Sequence, residues 1–294
     1  THCLYDAVRG VTKRIRPDDS AAENTETAGV SAFNANGFTT GQQGGSGQDG
    51  YNYVSWNWKM GTTSGLSGGT ITPTAYSINA AAGMGIYQYT GTGSAGTIAH
   101  GLGKVPEFII AKRTSHSGSF VVYHKSIGNA KEFYLNATDG QSTATATWNS
   151  TTPTSTVWSV GNDQNNTSGY TIINYVFAPV RGFSHFGTYD GSGDANGVFV
   201  HCGFKPSWLM VKNTAAGQQW LMMDNKRGYN SSNKLLYADS NEAAGTAEVV
   251  DLVSNGFKMR SSGAGNNAGG NKYCYMAFAA EPFVASNGNP ATAR

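Results

Sequence analysis

From Phe108 to Arg113 the chain reads FIIAKR, and both alternating faces carry apolar residues: Phe108 and Ile110 on one, Ile109 and Ala111 on the other. A period of two with apolar residues on both sides predicts a strand covered on two faces, as in the middle of packed sheets. The run from Trp208 to Asn213 repeats it, with Trp208 and Met210 opposite Leu209 and Val211. Further runs set an aromatic ring at the third position of one face: Val54, Trp56, Trp58; Ile173, Tyr175, Phe177; and Cys274, Met276, Phe278. These faces read as core. Clusters such as NGF, GSGQDG, NNTSG and GAGNNAGG separate the runs, and they turn a chain more readily than they continue a helix. Only residues 20–28 and 241–248 are expected to form a helical turn.

The runs recur as parts of a longer period. HGLGKVPEFIIAKRT, from His100, is answered by HCGFKPSWLMVKNT, from His201, with Pro106 and Pro206 about 100 residues apart. IYQYTGTGSAG matches HFGTYDGSGDANG, and GYTIINYVFAPV matches GNKYCYMAFAAEPF. At the start only a second half is found: LYDAVRG matches LMMDNKRG, FNANGFTTG matches LVSNGFKMR, and YNYVSWNWK matches the closing strands. The expected fold is all-β, with tandem jelly-roll or lectin-like β-sandwich repeats of about 100 residues. Residues 1–59 form the second half of an incomplete unit, 60–83 a Gly/Thr/Ser-rich linker, 84–180 a complete unit, and 181–294 a second complete unit with a C-terminal tail. Strands from elsewhere are expected to complete residues 1–59, because a central strand left as an edge strands its backbone donors and acceptors.

Composition narrows the chemistry. Only 13% of the 294 residues are charged, the net charge is +2, and 39 are glycine. Without a block of Lys or Arg there is no electrostatic footprint for nucleic acid, and no apolar run is long enough to insert in a membrane. Cys3, Cys202 and Cys274 are too scattered for a disulfide framework or a zinc site, so no metal and no cofactor is expected. GTGSAG at 91–96 has the glycines of a dinucleotide fingerprint, but strand residues follow it where a helix must begin, so it reads as a hairpin. DGSGDANG at 190–197 alternates oxygen-bearing side chains as a calcium loop does, yet it lacks the sixth-position Gly and twelfth-position Glu, and it too reads as a turn. The repeated D-x-x-R-G, Asp6 with Arg9 and Asp224 with Arg227, reads as a turn-fixing pair. His100 and His201 have no recurring nucleophile beside them, so no catalytic residues are assigned and the chain is read as a non-enzyme.

The phrases YDAVRG, SAAENTETAGVSAFNANGFTTG, YVSWNWK, HGLGKVPEFIIAKRT and GFKPSWLMVKNT resemble a repeated domain of structural, fibre-like proteins of tailed bacteriophages, especially aquatic ones. The resemblance spans nearly all of the chain outside the linker and implies a virion component, a tail fibre or surface projection serving assembly and host adhesion. The partners then expected are further copies in a homo-oligomer, other virion proteins and host-surface glycans, and the location is the virion or the extracellular space. The alternative is a carbohydrate-binding, lectin-like module of an extracellular protein. Sugars present CH faces and hydroxyls together, so an aromatic beside a polar turn is the candidate ligand site, and Tyr189 with Asp190 is nominated.

Overall fold

The computed structural model describes residues 2–42, 45–215, 217–228 and 230–280. The tail of the expected last unit, from residue 281, lies outside them. Among the described residues the regular structure is β, apart from one 3-10 turn at Asn230–Ser232. The first region holds β1 (Leu4–Asp6), β2 (Gly10–Ile15) and β3 (Asn24–Thr25) in one small sheet, and β4 (Val30–Asn34) with β5 (Gly37–Thr40) as a separate hairpin. Next come β6 (Ala75–Asn79), β7 (Met84–Thr90), β8 (Gly96–Ala99), β9 (Phe108–Arg113), β10 (Val121–His124), β11 (Lys131–Tyr134), β12 (Ser142–Thr143), β13 (Val157–Val160) and β14 (Thr171–Phe177). Seven of these form a sheet in the order β12-β11-β10-β9-β14-β7-β6, and β13 pairs with β8 apart from it.

The last stretch supplies β15 (Ser184–Asp190), β16 (Phe199–His201), β17 (Trp208–Asn213), β18 (Leu221–Asp224), β19 (Asn233–Tyr237), β20 (Gly245–Ala247), β21 (Val250–Val253), β22 (Gly256–Met259) and β23 (Lys272–Phe278). A six-stranded sheet runs β15-β23-β17-β18-β19-β20, and a three-stranded one runs β16-β22-β21. All of the strand pairings are antiparallel.

The two-faced strands do what their pattern requires. In β9, Ile109 and Ala111 join Ile98, Trp158 and Val160 in a core between the seven-stranded sheet and the β8–β13 pair. Phe108 and Ile110 face the other way, into a core they share with Trp208, Met210, Met276 and Phe278 of the six-stranded sheet. Leu209 and Val211 then meet Val250, Leu252 and Phe257 in a third core under the three-stranded sheet. The architecture is therefore β-sandwich-like and layered, with both large sheets covered on both faces. Aromatic edges fill the shared middle: Phe108 lies 6.1 Å from Phe177, and Phe177 lies 5.9 Å from Phe278.

Two expectations meet different outcomes. Residues 20–28 and 241–248 are not helical: Asn24–Thr25 pairs with Lys13 and Arg14, and Gly245–Ala247 pairs with residues 233–235. A single isolated turn fixes many dihedrals for one hydrogen bond, whereas pairing with an edge already in place satisfies the backbone directly. The Gly/Thr/Ser-rich stretch 60–83 connects, but it is also docked: β6 extends the seven-stranded sheet along β7, Ile71 is buried, and Thr62 bridges Ile78. Trp56 and Trp58 are half-buried and rest on Trp208 at 6.0 and 5.6 Å, and Trp56 donates its indole N–H to Asp224.

Candidate functional site

Tyr189 and Asp190 close β15, and strand alternation sends them to opposite sides. The Tyr189 ring is buried, stacked on Tyr273 at 5.1 Å, and its hydroxyl donates to the Asn266 carbonyl at 2.5 Å. Burial holds its pKa well above the ordinary tyrosine value. Tyr89, at the end of β7, makes the same bond to the Asn165 carbonyl at 2.5 Å. Tyr189 is thus a brace between a strand and a turn, with no ring face toward solvent. Asp190 is exposed and pairs with Lys272 at 2.8 Å. The two nominated residues do not converge on one surface.

The turns beside them are held by asparagines that the sequence reading passed over. Asn166 is buried and donates to the carbonyls of Ser94 and Gly161, while its side-chain oxygen accepts from the Thr92 N–H. Asn267 does the same for 190–197, donating to Asp194 and Ser261 carbonyls and accepting from the Ser192 N–H. Their signal in the sequence is an NN pair shortly before each closing strand, in NNTSG and GNNAGG. The alternating oxygens of 190–197 are spent on this turn: Asp194 accepts from the Asn196 N–H, and Ser192 contacts Asn267. Among the described residues no cluster of His, Cys, Asp or Glu is placed to hold a metal ion.

The D-x-x-R-G turns are built alike. Each aspartate takes two backbone N–H groups on one oxygen and its arginine Nε on the other, at 2.6 Å in both Asp6–Arg9 and Asp224–Arg227. His124, at the end of β10, fixes a turn in a similar way, its Nδ1 accepting from the Ser126 N–H at 3.1 Å. Its Nε2 faces the Tyr275 carbonyl of the six-stranded sheet, and burial lowers its pKa to about 4. Asp6 also accepts from the buried Tyr175 hydroxyl at 2.7 Å.

Two carboxylates meet on a single hydroxyl: the Thr147 Oγ1 lies 2.7 Å from Glu132 and 2.9 Å from Asp163. Burial raises the Glu132 pKa, while its bond from Thr147 favours the charged form. Glu132 is buried, and its bond from Thr147 ties β11 to the turn that carries Thr147. His100 is likewise occupied, accepting from the Leu102 N–H and contacting the Thr154 carbonyl. Burial pushes the Cys202 and Cys274 thiols up to about 12, which leaves them poor nucleophiles.

An open, polar cleft of about 320 Å³ lies where the first region meets the seven-stranded sheet, lined by Arg9, Glu23, Gln88, Thr114, Ser115 and Thr171, with Val8. Beside it His116 stacks on Tyr170 at 3.7 Å, with the Arg113 guanidinium over the same ring. Hydroxyl, amide and carboxylate groups there can hydrogen-bond a polyol, and the Ser115 hydroxyl lies 2.9 Å from His116 Nδ1 while accepting from the Thr171 N–H. A family model described as a domain of unknown function (DUF7483) matches residues 1–282. No curated protein and no solved structure matches the chain.

Proposed function

The chain belongs to the DUF7483 family, and from that premise we propose that it is a non-enzymatic structural protein of a virion, a tail-fibre or surface-projection component that contributes to assembly and host adhesion. In this reading the chain is built of tandem β-sandwich units of about 100 residues, of the jelly-roll or lectin-like kind. Strand order supports the repeat. β12-β11-β10-β9-β14-β7 has its counterpart, strand for strand, in β20-β19-β18-β17-β23-β15. Register agrees as well: Phe108 pairs with Phe177 and Trp208 with Phe278, while β8 crosses β13 at Ile98 and Trp158 as β16 crosses β22 at Val200 and Phe257.

The observation that carries the structural role is the double-sided burial of both large sheets, which turns successive units into one stack instead of opening a site between them. Buried ionisable groups such as Lys112, Lys212 and His124 are used in joining the layers. A low-charge, amide- and hydroxyl-rich surface suits a projection that packs against neighbours and touches a glycan-covered cell. The test is antibody raised against the purified chain, imaged on intact tailed-phage particles that encode it. Decoration of a tail projection is expected; antibody confined to unassembled lysate protein would overturn the reading.

A second reading, a lectin-like module, is favoured by the 320 Å³ cleft, which falls in the size range of small-ligand pockets. Its test is a glycan array probed with the isolated chain and with Gln88→Ala. Saturable binding that Gln88→Ala weakens at least about tenfold would support it, as loss of a side chain that hydrogen-bonds directly would require. An empty array would exclude it.

A further inference from the structure

The first region repeats elements found elsewhere in the chain, but without their covers. In the hairpin β4–β5, Phe33 pairs across with Phe38; in β21–β22 the same positions are Leu252 and Phe257. Leu252 and Phe257 are 1% and 0% exposed, whereas Phe33 and Phe38 are 45% and 38% exposed. The difference lies in what adjoins them: β16 pairs along β22, and the six-stranded sheet lies beneath. Among the described residues β5 pairs only with β4.

Residues 54–60 tell the same story. Val54, Trp56, Trp58 and Met60 are half-buried, the last three on the shared core, while Ser55, Asn57 and Lys59 are exposed, so the segment has the alternation of a strand. Its counterparts are central strands: β14 is bonded to β7 and β9, and β23 to β15 and β17. Yet 54–60 join no ladder among the described residues.

A third series ends in the same gap. Lys112 sends its ammonium to the Ser20 carbonyl of the first region, and the N–H of Glu23 bonds the Thr114 carbonyl. Lys212 does likewise with the Thr138 carbonyl, as Gln141 N–H does with Thr214. The next position in that series falls near Asn241, because Ala238 bonds Trp220 as Leu135 bonds Phe120. Residues 241–248 are exposed.

We propose that the hairpin β4–β5 and the segment 54–60 form an acceptor for polypeptide of the 84–113 type, the first half of one more unit of this kind, which adds strands on both edges of 54–60 and covers Phe33 and Phe38. The mode is strand complementation, in which main-chain pairing supplies affinity and alternate side chains supply specificity. The occupant carries a lysine that seats on the carbonyls near Asn241 and an aromatic ring beside Trp58, as Phe108 lies beside Phe177. This inference rests on the tandem-unit reading but not on the virion role, so particle decoration and the experiment below can fail separately.

The test uses hydrogen exchange on the whole chain, alone and with residues 84–118 duplicated ahead of Thr1. The turn series aligns His2 with Phe120 and Trp220, so the duplicate enters in register: His2 contacts the Tyr237 carbonyl as Trp220 contacts that of Tyr134. In the chain alone, amides of 55–59 are expected to exchange at least about 100-fold faster than those of 172–176, the contrast between open edges and a core strand. The duplicate is expected to abolish that contrast, and Phe38→Ser within it to restore fast exchange at 55–59 while leaving 172–176 protected. Amides of 55–59 as slow as 172–176 in the chain alone, or unchanged by the duplicate, would overturn the proposal.

Discussion

A single side chain can look like a ligand contact in sequence and be a brace in the fold. Tyr189 sits beside a polar turn, and nothing local in TYDGSG says that its ring points inward. Tyr189→Phe is expected to cost about 1 to 2 kcal/mol, the loss of one buried hydrogen bond, and Tyr189→Ala about 3 to 5 kcal/mol. Asp190→Ala, at an exposed ion pair, should change stability by less than about 1 kcal/mol. Urea unfolding of the three variants checks this ordering. Equal losses for Tyr189→Phe and Asp190→Ala would contradict the brace. His124 carries a second residue-scale expectation. Its folded pKa of about 4 lies below the ordinary 6.5 because burial disfavours the cation, so its contribution is present above 6.5 and lost as pH falls toward 4. His124→Asn keeps an acceptor for the Ser126 N–H and removes the titration. The variant should therefore lose less stability than the wild type between pH 6.5 and 4, which unfolding curves at a series of pH values will show.

Among elements, those with strong two-faced alternation were legible. β9, β14, β17 and β23 follow from FIIAKR, TIINYVF, WLMVKN and KYCYMAF, because apolar residues on both faces leave few alternatives to a covered strand. The edges were not legible. β3 and β20 are short and exposed, and their pairing depends on a neighbouring strand distant in sequence rather than on local preference. β6 hid in a Gly/Thr/Ser-rich stretch because only Ser77 and Ile78 of its five residues are buried. The cleft was illegible for the same reason, since Arg9 and Glu23 come together with Gln88 and Thr171 only through folding. Buried lysines at the strand ends give a testable consequence. Burial lowers the pKa of Lys112 and Lys212 from 10.5 to about 8, so the folded protein releases these protons before the unfolded chain does. Stability from each should rise with pH between about 8 and 10.5, and the burial penalty is full below pH 8. Lys112→Met removes one such titration, so the difference in unfolding free energy between wild type and variant should shift toward the wild type across that window. A pH-independent difference would contradict the assignment.

At the scale of the whole molecule, the two large sheets close on one shared core. Phe177, Phe186, Phe278, Trp208 and Trp58 interlock there, with Phe278 within 6.0 Å of both Phe186 and Trp208. Sheets joined this way should unfold together. The decisive measurement is native-state hydrogen exchange against urea, read at the central strands β14 and β23 in wild type and Phe278→Ala. The account predicts one common opening for both strands, with the substitution lowering the free energy of both by the same amount, about 3 to 5 kcal/mol. Loss confined to β23, with β14 opening as in the wild type, would contradict it.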